Sequence, residues 1–147
     1  MGLDMYLIGE IWLFRKKYEE LRKKVKQLFP QLEGEASLIE FELVYWRKAN
    51  AIHRWFVENV QGGKDDCGKY PVTREDLKKL LKVIEEVLEN RDKAEELLPT
   101  QEGFFFGSTK YDRRYFKELK WTAEKLRKLI NNEWLWENVH VFYESSW

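Results

Sequence analysis

Hydrophobic positions along the chain switch repeatedly between a period of two and a period near 3.6, which separates strands from helices. Residues 5–13 are mostly apolar, with Tyr6, Ile8 and Trp12 marking a strand and Gly9 a bulge within it. Residues 38–45 place Ile39, Phe41, Leu43 and Tyr45 in alternation with Glu40 and Glu42, the pattern of a half-buried strand. A third alternating run, 139–143, closes the chain. Between the first two, Tyr18, Leu21, Val25 and Leu28 recur at helical spacing over 16–29, until Pro30 stops the run. From Trp46 onward Ala49, Ile52, Phe56 and Val60 form an apolar stripe that predicts a helix over 47–60, ended by Gly62 and Gly63. Residues 64–70 read as loop.

Thr73 and Asp76 then form a capping box ahead of Leu77, Leu80, Leu81, Ile84, Val87 and Leu88, an amphipathic helix. A short helical piece over 92–98 ends at Pro99. Thr109 and Asp112 fit a capping pair for a helix over 110–131 that turns Tyr115, Leu119, Thr122, Leu126 and Leu129 inward. These elements define an α+β fold, a small and mainly antiparallel sheet with three main helices on one face. There is no internal repeat and no linker long enough to divide 147 residues into two domains, so residues 1–147 read as one domain.

Composition narrows the setting. Basic and acidic side chains balance at 26 each, which argues against bulk nucleic acid or membrane as partner, since both select a basic excess. The single cysteine, Cys67, cannot form an intrachain disulfide, and no apolar run approaches the roughly 20 residues that span a bilayer. No secretory signal is evident at the N-terminus, and the expected location is the cytoplasm.

Three segments carry candidate chemistry. The first is Gly103-Phe104-Phe105-Phe106-Gly107-Ser108-Thr109. Glycines let a ligand approach the backbone, phenylalanine faces stack on bases, and N–H groups at a following helix start attract phosphate. The same residues also read as two core phenylalanines between turns. The second is the stretch from Trp46 to Phe56, which on a helical projection gathers Arg47, Asn50 and Arg54 on one side and sets His53 beside Asn50. Paired guanidiniums suit an anion, and His53 has the reference pKa of a general acid or base. A solvated basic face and a satisfied boundary histidine are the bland alternative. The third is the loop with Asp65, Asp66 and Cys67, which offers partners to His53 or reads as a turn with solvated aspartates.

The familiar phosphate-loop, dinucleotide-binding, nucleophile-elbow, zincin and zinc-finger patterns do not occur, so neither a cofactor nor a metal is expected. Trp134, Trp136 and Trp147 near the C-terminus suit a subunit interface, and a homodimer or larger assembly is expected from them.

The stretches Met1 to Leu7, Tyr45 to His53 and Leu98 to Thr109 resemble those of a family of small phage- and prophage-encoded proteins. The likeness extends to Asp65-Asp66-Cys67-Gly68, to Tyr111-Asp112 and to the Ser-Ser-Trp ending, and it is weakest over 15–35. Residues 16–34 accordingly read as a variable helical insertion. The resemblance implies a phage setting within the host cytoplasm and brings no active site to carry over residue by residue. The resulting expectation leans away from an enzyme. It is a protein that binds and sequesters a small anionic, nucleotide-like ligand, as phage proteins that counter host defence do. Arg47, Asn50, His53, Arg54, Phe104, Phe105, Phe106, Gly107, Ser108 and Thr109 are the ligand-binding candidates. A hydrolase or transferase using His53 with Asp65, Asp66 or Cys67 is one alternative, and a protein-binding inhibitor of a host factor is another.

Overall fold

A computed structural model describes residues 2–147; Met1, which opens the first of the resembling stretches, lies outside the described residues. Four strands, β1 (Asp4–Trp12), β2 (Leu38–Arg47), β3 (Lys69–Pro71) and β4 (His140–Ser146), form one antiparallel sheet in the order β2-β1-β4-β3. The helices are α1 (Glu19–Leu28), α2 (Asn50–Asn59), α3 (Arg74–Glu89), the single turn α4 (Ala94–Leu97), α5 (Arg113–Ile130) and α6 (Glu133–Asn138). The fold is α+β, as the pattern predicts.

One face of the sheet carries Met5, Leu7, Val44, Trp46, Val141 and Tyr143, and α2, α3 and α5 close over it. The joints are specific. Phe56 of α2 stacks on Tyr143 with ring centroids 4.0 Å apart, and the Trp46 indole N–H donates to Thr122 of α5 at 2.8 Å. From α3, Leu77, Leu80, Ile84 and Val87 are buried. Helix α3 begins with the predicted capping box, Thr73 accepting from the Asp76 N–H while Asp76 accepts from the Thr73 N–H. Each fully buried aliphatic or aromatic side chain of this set contributes about 1.5–3 kcal/mol relative to exposure.

Several expectations are corrected. Ile39, Phe41 and Leu43 share the face on which the helices pack, with Phe41 left exposed there, but Tyr45 points to the other one. Leu7 pairs with Val44 and Ile8 with Glu42, so Leu43 is an extra residue in β2, and this bulge flips the alternation to bury Val44 and Trp46 instead. Gly9 is not the bulge. Its hydrogen is needed because a Cβ there would meet Val139 at 2.9 Å and Leu43 at 3.1 Å. The helix after β2 starts at Asn50, because Arg47 completes the strand and Lys48 turns the corner with φ of 57°. The apolar positions that recur at helical spacing in α1, Leu21, Val25 and Leu28, are not buried; no residue of that helix is. Strand β3 and helix α6 escape the periodicity reading, being too short to establish a period. Among the described residues no helix is long and apolar enough to cross a membrane.

Candidate functional site

Two neighbouring features are built around α2. The first is a buried polar chain. The aligned residues of α2 and β4 bring His53 Nδ1 within 2.6 Å of the Tyr143 hydroxyl. The loop after α2 reverses through Gly62 (φ 63°), Gly63 (φ 83°) and Cys67 (φ 57°), and so returns Asp65 to α2. Both Asp65 carboxylate oxygens lie 3.0 Å from His53 Nε2, and the Trp147 indole N–H donates to Oδ1 at 3.0 Å. The carboxylate can only accept, so Nε2 carries the proton and Nδ1 accepts from Tyr143. Phe106 meets the imidazole edge-on with centroids 5.3 Å apart. Burial pushes the His53 pKa below its ordinary 6.5, with Asp65 opposing, and pushes the Tyr143 phenol well above its ordinary value.

The pairing of His53 with Asp65 required by the hydrolase alternative is therefore formed. Asp66 instead accepts from the Tyr70 hydroxyl at 2.7 Å and from the Gly68 N–H at 2.9 Å. The His53 side chain has no exposed surface, however, and both its nitrogens are engaged within the chain. Proton transfer needs a reacting group within hydrogen-bond reach, and this imidazole offers no free position for one. What the chain of bonds does is tie α2, the 62–68 loop, β4 and the C-terminal Trp147 together.

That depressed pKa has a consequence for stability. The unfolded chain binds a proton at His53 near pH 6.5 and the native chain resists it, so the free energy of unfolding should decrease as pH falls below about 6.5. His140, also lowered chiefly by burial, acts in the same direction, whereas the raised pKa of Glu118 acts against it. Urea unfolding at pH 8 and pH 5.5 should show the loss, and His53→Gln should flatten most of it relative to His140→Gln.

The second feature is a cleft between the β2–α2 corner, the 100–112 loop and α5. Asn50, buried at the start of α2, fixes the loop: its amide donates to the carbonyls of Phe106 (2.9 Å) and Ser108 (2.8 Å) and accepts from the Gln101 N–H (3.0 Å). Phe106 packs so closely on Gly103 that a Cβ there would sit 2.7 Å from the ring. Gly107 turns at φ 82° against the Lys48 side chain. The cleft holds about 70 Å³, and Arg47, Lys48, Lys110 and Arg114 supply cations to its lining beside the carboxylates of Asp112 and Glu118. Arg47 also engages Asp4 at 3.3 Å. Glu118 lies half-buried in the lining, its pKa raised by burial with Arg114 partly offsetting the shift. Lys48 is one of two non-glycine residues with positive φ among the described residues, an uncommon conformation that the surrounding structure must hold in place.

The cleft gathers Arg47, Asn50, Gly107 and Ser108 from the sequence candidates. His53 sits in the buried chain instead. Arg54 is bonded to Glu58 at 2.9 Å and to the Thr100 carbonyl at 3.1 Å. Phe106 is core, whereas Phe104 is 94% exposed and meets Phe105 edge-on at 4.7 Å. The Thr109 carbonyl accepts from the Thr100 hydroxyl at 3.0 Å. The expected helix start at Lys110 is corrected to Arg113, with Asp112 as the cap accepting from the Tyr115 N–H. Ser108 and Thr109 thus precede the helix and do not form its N-terminus; Ser108 accepts from the Lys110 N–H at 3.2 Å.

Sequence reasoning missed Lys48, Lys110, Arg114 and Glu118. Only Arg114 and Glu118, four apart on one helix face, left a trace in the sequence. Of the three C-terminal tryptophans, Trp147 bonds Asp65, the Trp136 indole donates to the Leu129 carbonyl at 2.8 Å, and Trp134 is 57% exposed. No family model, curated protein or solved structure matches the chain.

Proposed function

We propose that this chain is a non-enzymatic binding protein that captures a small anionic ligand through a phosphate or similar group seated in the α2–α5 cleft. The observation that carries the reading is the convergence of Arg47, Lys48, Lys110 and Arg114 on one recess whose loop wall is held by Asn50. The recess of about 70 Å³ exceeds several-fold the ~10–15 Å³ that admits a water. It suits a compact anion, with the remainder of a nucleotide-like ligand lying across the rim. Guanidiniums bind phosphate oxygens bidentately, and two of the four cations are arginines. The resemblance to phage-encoded proteins supplies the biological role we attach to this capture, the withdrawal of a nucleotide signal from host defence.

Thermal shift against inorganic phosphate, pyrophosphate and a panel of mono-, di- and cyclic nucleotides tests the reading. Ligand at 100 times its dissociation constant should add about 2.7 kcal/mol of stability. Arg114→Ala or Lys48→Ala should weaken binding at least tenfold, and Glu118→Gln should strengthen it by removing a carboxylate from the lining. A panel that produces no shift, or a shift insensitive to all three changes, would refute the assignment. Recovery of the bound ligand chemically intact after long incubation is also expected; turnover would favour the enzymatic alternative.

A further inference from the structure

The segment joining β1 to β2 buries no residue and meets the rest of the molecule at its root, where Phe14 and Arg15 lie against Trp12, Arg15 bonds His140 and Lys17 bonds Asn138. Trp12 pairs with Leu38, and the Leu13 N–H donates to the Ser37 carbonyl at 2.9 Å, so the strands form a ladder that a short turn could close. Instead 23 residues, 14–36, intervene, and none of them is buried. Within them α1 has ten residues, too few to be stable alone in water, where isolated helices shorter than ~12–15 residues are marginal. Its apolar stripe of Tyr18, Leu21, Val25 and Leu28 runs into Phe29 and Leu32; Leu28, Phe29 and Leu32 are 72%, 52% and 64% exposed. Arg22 bonds the Leu13 carbonyl, and Lys26 bonds the carbonyls of Leu32 and Gly34, so these two cations bond within the same excursion or at its root.

Charge is segregated along the same boundary. Between Arg15 and Leu28 there are seven basic and two acidic side chains, which leaves nineteen basic and twenty-four acidic for the rest of the chain. The complementary surface is the sheet face that α2, α3 and α5 leave open. It presents Tyr6, Trp12, Phe142 and Glu144 half-exposed and Tyr45 and Glu42 exposed, with the Tyr6 and Tyr45 rings 5.3 Å apart, and Lys69 lies on the same face, paired with Glu10 and Glu40 and over the Phe142 ring. Asp4, Glu42 and Glu144 surround the Tyr6 phenol and, after burial, help hold its pKa above the ordinary value, with Arg47, paired with Asp4, opposing them. Helix α1 spans about 15 Å at 1.5 Å per residue, and four strands spaced ~4.8 Å apart span nearly the same width.

We infer that the open sheet face is the docking surface for α1 of a second copy of this chain, in a two-fold dimer that covers both apolar stripes at once. A basic amphipathic helix and an acidic aromatic sheet face occur in one chain, and a reciprocal exchange satisfies both. This interface is separate from the cleft and does not depend on the ligand assignment.

Light scattering coupled to size exclusion should give twice the 17.9 kDa chain mass, falling towards the monomer as salt is raised. Leu28→Ser with Phe29→Ser, Lys23→Glu with Lys24→Glu, and Glu42→Lys with Glu144→Lys should each weaken self-association at least tenfold. None of these six side chains is buried, and unchanged circular dichroism would confirm that each variant folds. Combining the two charge reversals should restore the dimer. A monomer at all soluble concentrations, or a dimer indifferent to these changes, would overturn the inference. So would a monomer that co-sediments with phosphatidylserine-containing vesicles through Leu28 and Phe29, which would assign the helix to a lipid surface.

Discussion

Replacing His53 with alanine is expected to lower the unfolding free energy by about 3–5 kcal/mol, the range for cutting a large buried ring back to a methyl group. The imidazole is fully buried, packs edge-on against Phe106, and bridges Tyr143 to Asp65. Alanine would leave a cavity beside Phe106, a buried phenol without its acceptor, and a carboxylate without its main internal donor. Tyr143→Phe should cost less, about 1–3 kcal/mol, because it orphans one imidazole nitrogen and keeps the stack on Phe56. Urea or thermal unfolding measures both. If His53→Ala were neutral, the buried chain of bonds would not be a structural tie. Retained anion binding in the Tyr143→Phe variant would separate this tie from the cleft, as their geometry predicts.

Asn50→Ala should have the second-largest effect, because one side chain does two jobs. Its three bonds to Gln101, Phe106 and Ser108 are the main link between α2 and the 101–108 loop, and at about 1 kcal/mol each their loss should lower stability by ~2–4 kcal/mol. The loop also forms one wall of the cleft through Gly107 and Ser108, so anion affinity should fall at least tenfold even where the variant remains folded. Asn50→Asp is the sharper comparison. It nearly preserves shape, yet it turns a donor towards two carbonyl oxygens into a second acceptor, and it should be at least as damaging. Calorimetric titration with the best ligand of the thermal-shift panel, carried out below each variant's melting temperature, distinguishes loss of binding from loss of fold.

How far the sequence reaches can be judged from single elements. Helices α3 and α5 are legible because each repeats its apolar period over four turns or more, and the Thr73 and Asp76 box marks the start of α3 to the residue. Helix α1 shows the limit of the same logic. Its amphipathic stripe is as clear, but periodicity reports which residues share a face and not what, if anything, covers that face. The bulge at Leu43 was invisible because it resides in the pairing with Leu7 and Ile8, not in the strand's own alternation.

By itself, the sequence determined the α+β class, the two long helices, the strands on either side of the first excursion, and the association of His53 with the Asp65 loop as one alternative. These depend on local period, on caps and on residue chemistry, all of which are written along the chain. Tertiary structure alone decided that His53 is a buried tie and that Phe106 is core while Phe104 is exposed. It also decided that the cationic residues lining one recess are Arg47, Lys48, Lys110 and Arg114. Those residues come from a strand end, a left-handed corner, a loop and a helix. Their convergence is set by the packing of α2 and α5 on the sheet, a long-range outcome for which no spacing in the sequence stands as a signal.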